Sequence, residues 1–207
     1  MRRIGLAPLL VAVAVAVSGC EDHTTLAQPK AKAAADRKSP FAGHALSGPA
    51  SSTDFALRDQ HGHLTRLSAQ RGRLVLITFL YTHCTDICPL IANQLNQALR
   101  EMYHQRSSVT VLAVSVDPVG DTPRAVRAYA REHRLLPEFH YLVGSRAELA
   151  RVWQDYNVLV LQRNLESVGH SGYIYLLDRM GKPRVFYSAK ATAGQVAHDL
   201  RLLMRAS

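Results

Sequence analysis

Two cysteines, Cys84 and Cys88, stand four positions apart in the segment YTHCTDICPL, and a proline follows the second. Sulfurs at this spacing can form a structural disulfide, exchange electrons as a redox pair, or bind one metal ion together. A disulfide here would close a very small loop, so it would add little stability by restricting the unfolded chain. A structural disulfide is therefore the weakest of the three explanations for this pair.

The spacing of the two cysteines bears on the choice between those two chemistries. Two thiolates separated by three residues can chelate one soft metal ion, and Cu(I) suits such a pair best. Redox pairs of the thioredoxin type normally have two intervening residues, which counts against a plain dithiol oxidoreductase without excluding it. Pro89 suits the first turn of a helix, where unpaired backbone N–H groups and the helix dipole would stabilise a Cys88 thiolate.

The surrounding elements predict an α/β fold, a thioredoxin-like sandwich with a central mixed sheet flanked by helices. The buried strands RLVLITFL (73–80) and VTVLAVSV (109–116) are continuous apolar runs, and the first ends just before the cysteines. Helices should start near Pro89, Thr122 and Ser145, and a loop over 162–169 should lead to a strand at 172–177. The first helix has the apolar stripe Leu90, Ile91, Leu95, Ala98, Leu99 and Met102. Ligands bind beyond the carboxyl ends of such strands, where the cysteines lie.

A copper site that holds both oxidation states needs a nitrogen ligand, and the chain has ten histidines. His170 is the candidate, because it follows a loop and precedes a buried strand whose start should face the cysteine loop in this fold. His83 is adjacent to the first cysteine, but its side chain should point to the opposite side of the chain. We interpret His61 and His63 as solvated residues of a hairpin.

Two acidic residues stand near the cysteines and are candidates for orienting a metal ligand without binding the metal themselves. Asp86 lies between the two sulfurs in the sequence, and Asp117 follows the second buried strand. A carboxylate in such a place can hydrogen-bond a ligand and fix its orientation. The alternative for Asp117 is that it only caps its own loop.

The N-terminus predicts export and membrane attachment. Residues 1–19 have two arginines, an apolar run and then small residues, which is the layout of a signal peptide. The run is too short for a confident transmembrane span, and Val17-Ser18-Gly19-Cys20 resembles a lipobox whose cysteine carries lipid. An ordinary signal peptide and an uncleaved anchor are the alternatives. Each version places the protein outside the cytoplasm, on the periplasmic side.

After the signal, residues 20–52 are rich in Ala, Lys, Pro, Ser and Gly, which predicts a flexible tether ahead of a single domain at 53–207. The net charge is +9, and it is +7 without Arg2 and Arg3, since 23 basic residues then face 16 acidic ones. The basic residues form no run of five and no nucleic-acid motif, so we expect no nucleic-acid partner.

Four blocks of the sequence resemble the Sco/SenC family of copper chaperones for cytochrome c oxidase assembly. They are TFLYTHCTDICP, SVDPVGDTPRAVRAYA, YLVGSRAELARVW and GHSGYIYLLDRMGKPR, in order over roughly 54–203. The resemblance implies one copper ion, Cu(I) or Cu(II), bound by Cys84, Cys88 and His170 in a membrane-tethered domain. Thr85 departs from the family, which usually has a proline between the cysteines.

The resemblance implies a metallochaperone that delivers copper to the CuA centre of a haem-copper oxidase by ligand exchange. Its partners would be the oxidase subunit carrying CuA, other periplasmic copper chaperones and thioredoxin-like reductants. The main alternative is an enzyme, a thiol–disulfide oxidoreductase that reduces the oxidase cysteines before metallation, since one pair of sulfurs can serve both roles. A peroxiredoxin-like peroxidase is the third hypothesis.

Overall fold

The structure is a computed structural model, and it describes residues 39–47, 52–158, 160–164, 167–169 and 172–206. Cys20 and His170 therefore lie outside the described residues. None of the helices in the described ranges combines the length and hydrophobicity that crossing a bilayer requires.

Among the described residues, six strands form the central sheet, in the order β1-β10-β9-β4-β5-β6. Their bounds are β1 His44–Ala45, β4 Leu74–Leu80, β5 Val109–Ser115, β6 Phe139–Leu142, β9 Tyr173–Leu177 and β10 Pro183–Ser188. The neighbours β4, β5 and β6 run parallel, whereas β9 is antiparallel to both β4 and β10. Every residue of β4 and β5 is buried, which explains their continuous apolar sequences. The predicted mixed sheet is confirmed.

In the part of the chain that the structure describes, four helices cover the sheet: α1 Ile87–Glu101, α2 Pro123–Glu132, α3 Arg146–Asp155 and α4 Ala193–Arg205. The side chains of Thr122, Ser145 and Thr192 accept hydrogen bonds from the first turns of α2, α3 and α4, as N-cap residues do. The apolar faces of α1, α2 and α4 pack in one core cluster, and α3 packs in a second. The thioredoxin-like sandwich predicted from the order of elements is thus confirmed.

Two local predictions differ from the structure. Leu90 is 41% exposed, so its assignment to the buried stripe of α1 is wrong. It precedes Ile91 by one position, or about 100° around the helix, and this rotation turns it away from the core. The segment predicted as a loop contains a small hairpin, β7 (Leu161–Asn164) paired with β8 (Ser167–Gly169). Its sequence, LQRNLESVG, has no apolar alternation that would have indicated strands.

A second hairpin, β2 (Ala56–Arg58) and β3 (Leu64–Arg66), forms around the turn at Gly62, as the sequence predicts. Asp59 organises this turn by accepting hydrogen bonds from the backbone N–H groups of His61 and His63, each at 2.9 Å. Both histidines are exposed, in agreement with their interpretation as solvated residues.

The folded domain begins before residue 53, inside the segment that the composition assigns to the tether. The backbone N–H groups of Ala42 and Gly43 donate to the carboxylate of Asp199 at 2.7 and 3.0 Å. The hydroxyl of Tyr187 donates to the same buried carboxylate at 2.8 Å. These bonds hold the chain that leads into β1, which pairs with β10 at the edge of the sheet.

Candidate metal centre

The two cysteines lie immediately beyond the carboxyl end of β4. Cys84 is in the loop and 9% exposed, and Cys88 is in the first turn of α1 and fully buried. Both are thiols. The backbone N–H of Cys88 donates to the Sγ atom of Cys84 at 3.3 Å, and the two side chains also share a hydrogen bond. The sulfurs are therefore close enough to bind one ion together or to form a disulfide.

The protonation of Cys88 differs from what the helix start suggests. Its hydrogen bond with Cys84 and its burial raise the pKa of Cys88 well above the ordinary thiol value. The helix N-terminus alone therefore does not produce the Cys88 thiolate that the sequence predicts. A coordinating metal ion deprotonates a thiol outright, so ion binding at this pair would release protons.

Tyr81 borders the sulfurs and was not identified from the sequence. Burial, followed by the charge and hydrogen bond of Cys84, raises the pKa of Tyr81 to about 12. The residue therefore stays a neutral phenol at physiological pH and can serve as a hydrogen-bond donor beside the cysteines. The sequence feature that could have identified Tyr81 was its position, directly after a buried strand and three residues before the first cysteine.

The carboxylate of Asp117 caps its own loop. It accepts hydrogen bonds from the backbone N–H groups of Val119 at 3.2 Å and Gly120 at 2.9 Å, which is the simpler of the two roles considered for it. A Cβ atom at Gly120 would collide with this carboxylate and lie 3.0 Å from Nδ1 of His83. The exposed ring of His83 therefore lies against the same loop.

Asp86 is the N-cap residue of α1, but its side chain makes no capping hydrogen bond and is exposed. It stands between the two cysteines in the sequence only, and no contact of its carboxylate with either sulfur is present among the described interactions.

Asp121 is the acid that joins the strand ends beneath the cysteine loop. Its Oδ1 atom accepts from the backbone N–H of Thr82 at 2.8 Å. Its Oδ2 atom accepts from the hydroxyls of Ser115 at 2.6 Å and Tyr141 at 3.1 Å. The side chain is 4% exposed, and burial raises its pKa. Asp121 thus connects the loop after β4 to the last residue of β5 and to the middle of β6.

Sequence reasoning missed Asp121 because Thr122 and Pro123, which follow it, already explained the start of α2. The available signal was a second aspartate four positions after Asp117.

We expect Asp121→Ala to destabilise the domain by about 3 kcal/mol, because it leaves one partly buried N–H and two buried hydroxyls without an acceptor. Asp121→Asn keeps one carbonyl oxygen and removes the buried charge, so it should lose much less. Urea unfolding of both variants measures the difference. Equal stability of Asp121→Ala and wild type would contradict the anchoring role.

The third predicted ligand, His170, lies outside the described residues, and so does Cys20. Within the described ranges, no three side chains of His, Cys, Asp or Glu are placed to hold an ion. Gly172, two positions after His170, packs against the first turns of α1. A Cβ atom there would lie 3.1 Å from Cδ1 of Ile91 and 3.5 Å from Cγ1 of Ile87, residues on either side of Cys88.

Comparisons with known proteins agree on one family. The SCO1/SenC family model matches residues 44–205. The mitochondrial SCO2 homologue of Bos taurus is 32% identical over 160 residues, which cover 74% of this chain and 59% of the bovine protein. The structure of Bradyrhizobium japonicum ScoI with copper bound is 32% identical, with a TM-score of 0.67, and the match covers 74% of this chain and 99% of that one.

A structure of BsSco supports the fold alone, at 22% identity and a TM-score of 0.66 over 76% of this chain and 95% of that one. BsSco is described as a member of the Sco family of cytochrome c oxidase assembly proteins and as having a disulfide switch. The family match extends from β1 to the end of α4 and includes both cysteines. This chain belongs to the SCO1/SenC family.

Proposed function

We propose that this protein is a copper metallochaperone that delivers copper to the CuA centre of a haem-copper oxidase. The observation that carries the proposal is the pair of adjacent sulfurs, Cys84 and Cys88, at the end of β4 in a SCO1/SenC chain. A buried pair of thiols suits Cu(I), which prefers soft ligands. ScoI of Bradyrhizobium japonicum, with the same fold, has been solved with copper bound.

The proposed ligands are Cys84, Cys88 and His170, around one ion. The packing of Gly172 against α1 supports the third ligand, because two residues of chain span at most about 7 Å. An imidazole at position 170 that reaches the sulfurs is compatible with that limit. An imidazole nitrogen added to two thiolates would let the site hold Cu(II) as well as Cu(I).

Copper would leave by stepwise ligand exchange, in which thiolates of the acceptor replace the ligands of the donor. Cys84 is the more accessible sulfur, since it is 9% exposed and Cys88 is fully buried. The incoming thiolate therefore displaces Cys84 first. Tyr81, which is hydrogen-bonded to Cys84, can then donate a hydrogen bond from its hydroxyl to the released sulfur.

The test is copper transfer between purified proteins. The Cu(I)-loaded protein is mixed with the reduced, copper-free, soluble CuA domain of an oxidase subunit, and the two are separated and assayed for metal. We expect copper to move to the CuA domain, and to move faster than from a small-molecule Cu(I) complex of equal affinity. If copper stays on this protein, or moves no faster, delivery is not its function.

The second candidate function is reduction of the oxidase cysteines by the same sulfurs. The hydrogen bond between the side chains of Cys84 and Cys88 favours it, because this bond already brings the two sulfurs together. Incubating the reduced protein with a CuA domain that contains its disulfide distinguishes the two functions. Appearance of thiols on that domain, with matching loss from Cys84 and Cys88, supports the reductase.

Membrane attachment through Cys20 completes the proposal. Removal of residues 1–19 would leave Cys20 as a lipidated N-terminus on the periplasmic side, followed by the tether. Asp199 holds the segment just before β1, and the tether that the composition predicts ahead of it would let the metal centre reach a membrane-bound oxidase. The lipid, and not a protein helix, would be the anchor.

We expect Cys20→Ala to accumulate as unprocessed precursor or to be mislocalised, while its purified domain still binds copper normally. Cell fractionation and intact-mass analysis of detergent-extracted protein measure this. Wild-type protein without acyl chains would contradict the lipid anchor.

A further inference from the structure

Three arginines lie on one face of α2. Arg124, Arg127 and Arg131 are all exposed, and their spacing of three and four positions places them in one row along the helix. The row is about 10 Å long, from seven positions at 1.5 Å each. The helix contributes one acid, Glu132, at its last position.

The charge of this row is not neutralised by the described part of the protein. Elsewhere, Arg106, Arg184 and Arg201 lie 3.1 to 3.8 Å from the carboxylates of Glu138, Asp178 and Glu101. None of the described carboxylates makes such a pair with an arginine of α2. Arg127 donates to the backbone oxygen of Gln60 at 3.3 Å, a contact that leaves its charge uncompensated. The α2 row is therefore a local positive surface.

The start of the row is linked to the cysteine loop. Asp121, two positions before α2, holds the backbone of Thr82 in the cysteine loop, so Arg124 is at the sulfur end of the helix and Arg131 is farther away. A partner large enough to cover the cysteines would thus also cover the first turns of α2.

Two exposed apolar side chains border the same end of the domain. Leu90, in the first turns of α1, is 41% exposed, and Val119, in the loop capped by Asp117, is 65% exposed. Protein interfaces combine an apolar centre with a polar rim, and arginine is enriched in them. These two residues and the α2 row together have that composition.

We propose that Leu90, Val119, Arg124, Arg127 and Arg131 form a docking face for an acidic surface of the copper-accepting protein. This inference rests on the proposed function and adds the chemistry of the partner. A protein is favoured over an anionic lipid surface because the face includes the cysteine loop. Its occupant must present metal-receiving thiolates to Cys84, and lipid headgroups have none. Opposite charge would mainly accelerate the encounter, as charges at an interface rim do.

The test compares two double variants with equal loss of charge. Arg124→Gln/Arg131→Gln removes the ends of the row. Arg73→Gln/Arg205→Gln removes two exposed arginines at the other end of the domain, before β4 and at the end of α4. Both are made with Cys84→Ser/Cys88→Ser, so that binding is measured without copper transfer. The probe is the soluble CuA domain, and the measured quantity is the association rate constant as a function of salt.

We expect Arg124→Gln/Arg131→Gln to lower the association rate constant about fivefold at low salt and to flatten its salt dependence. The control pair should change neither. Equal rates for the two pairs would overturn the inference. So would unchanged binding to the CuA domain combined with lost binding to vesicles of phosphatidylcholine and phosphatidylglycerol, which would assign the face to lipid.

Copper transfer by the same arginine variants with intact cysteines separates this inference from the proposed function. If binding to the CuA domain depends on the arginines but the wild-type protein transfers no copper, the docking face is supported and copper delivery is contradicted. Transfer that is insensitive to the arginines supports delivery and overturns the docking face.

Discussion

Cys84→Ser and Cys88→Ser should each lower the Cu(I) affinity more than about 100-fold. Replacing a residue that only hydrogen-bonds a metal ligand lowers metal affinity by up to about 100-fold, and the loss of a ligand itself should cost more. A single thiolate is a poor ligand set for Cu(I), so the first substitution removes most of the binding. The double variant should therefore lose little more than either single variant, because the sulfurs act as one unit. Competition with a chromophoric Cu(I) chelator measures all three affinities.

Folding has to be checked separately, because Cys88 is fully buried and its replacement places a hydroxyl in the core. Near-ultraviolet circular dichroism and urea unfolding of each variant serve as controls. Cys84 lies in the loop and is slightly more exposed than Cys88, so Cys84→Ser provides the test less affected by stability. Near-native Cu(I) binding by either single variant would rule out the dithiolate site.

Local patterns were sufficient to predict the parts of the fold that depend on short stretches of chain. The seven-residue apolar strands β4 and β5 are buried throughout, and such runs have no exposed face to obscure the signal. The N-caps Thr122 and Ser145 are local as well, since each bonds to a residue three positions ahead. The cysteine pair is also local, and its place after β4 followed from the order of elements.

Contacts between distant residues could not be predicted in the same way. The bond from Ala42 to Asp199 joins residues 157 positions apart, and the bond from Thr82 to Asp121 joins residues 39 apart. Each aspartate is an ordinary polar residue in its own neighbourhood. Only the folded chain shows that Asp199 holds the segment before β1 and that Asp121 holds the cysteine loop.

His170→Ala should retain much of the Cu(I) binding and lose stable Cu(II) binding. Cu(I) tolerates two thiolates alone, whereas Cu(II) prefers a tetragonal set that includes nitrogen. Without the imidazole, Cu(II) would face two oxidisable thiolates and water. Electron paramagnetic resonance of the Cu(II)-loaded protein measures the change, as loss of the nitrogen coupling or of the whole signal. Copper delivery should fall too if the imidazole guides exchange.

His83→Ala is the informative control, because His83 is the other histidine next to the cysteine loop. Its ring lies against Gly120, so its removal should leave the Cu(II) spectrum unchanged. His104→Ala, an exposed histidine just beyond α1, controls for Cu(II) bound loosely at the surface. If His83→Ala abolishes the nitrogen coupling and His170→Ala preserves it, the nitrogen ligand comes from the cysteine loop itself. An unchanged spectrum in His170→Ala would leave His170 with only a structural role in its own loop, and the site would then be a dithiolate site completed by another donor.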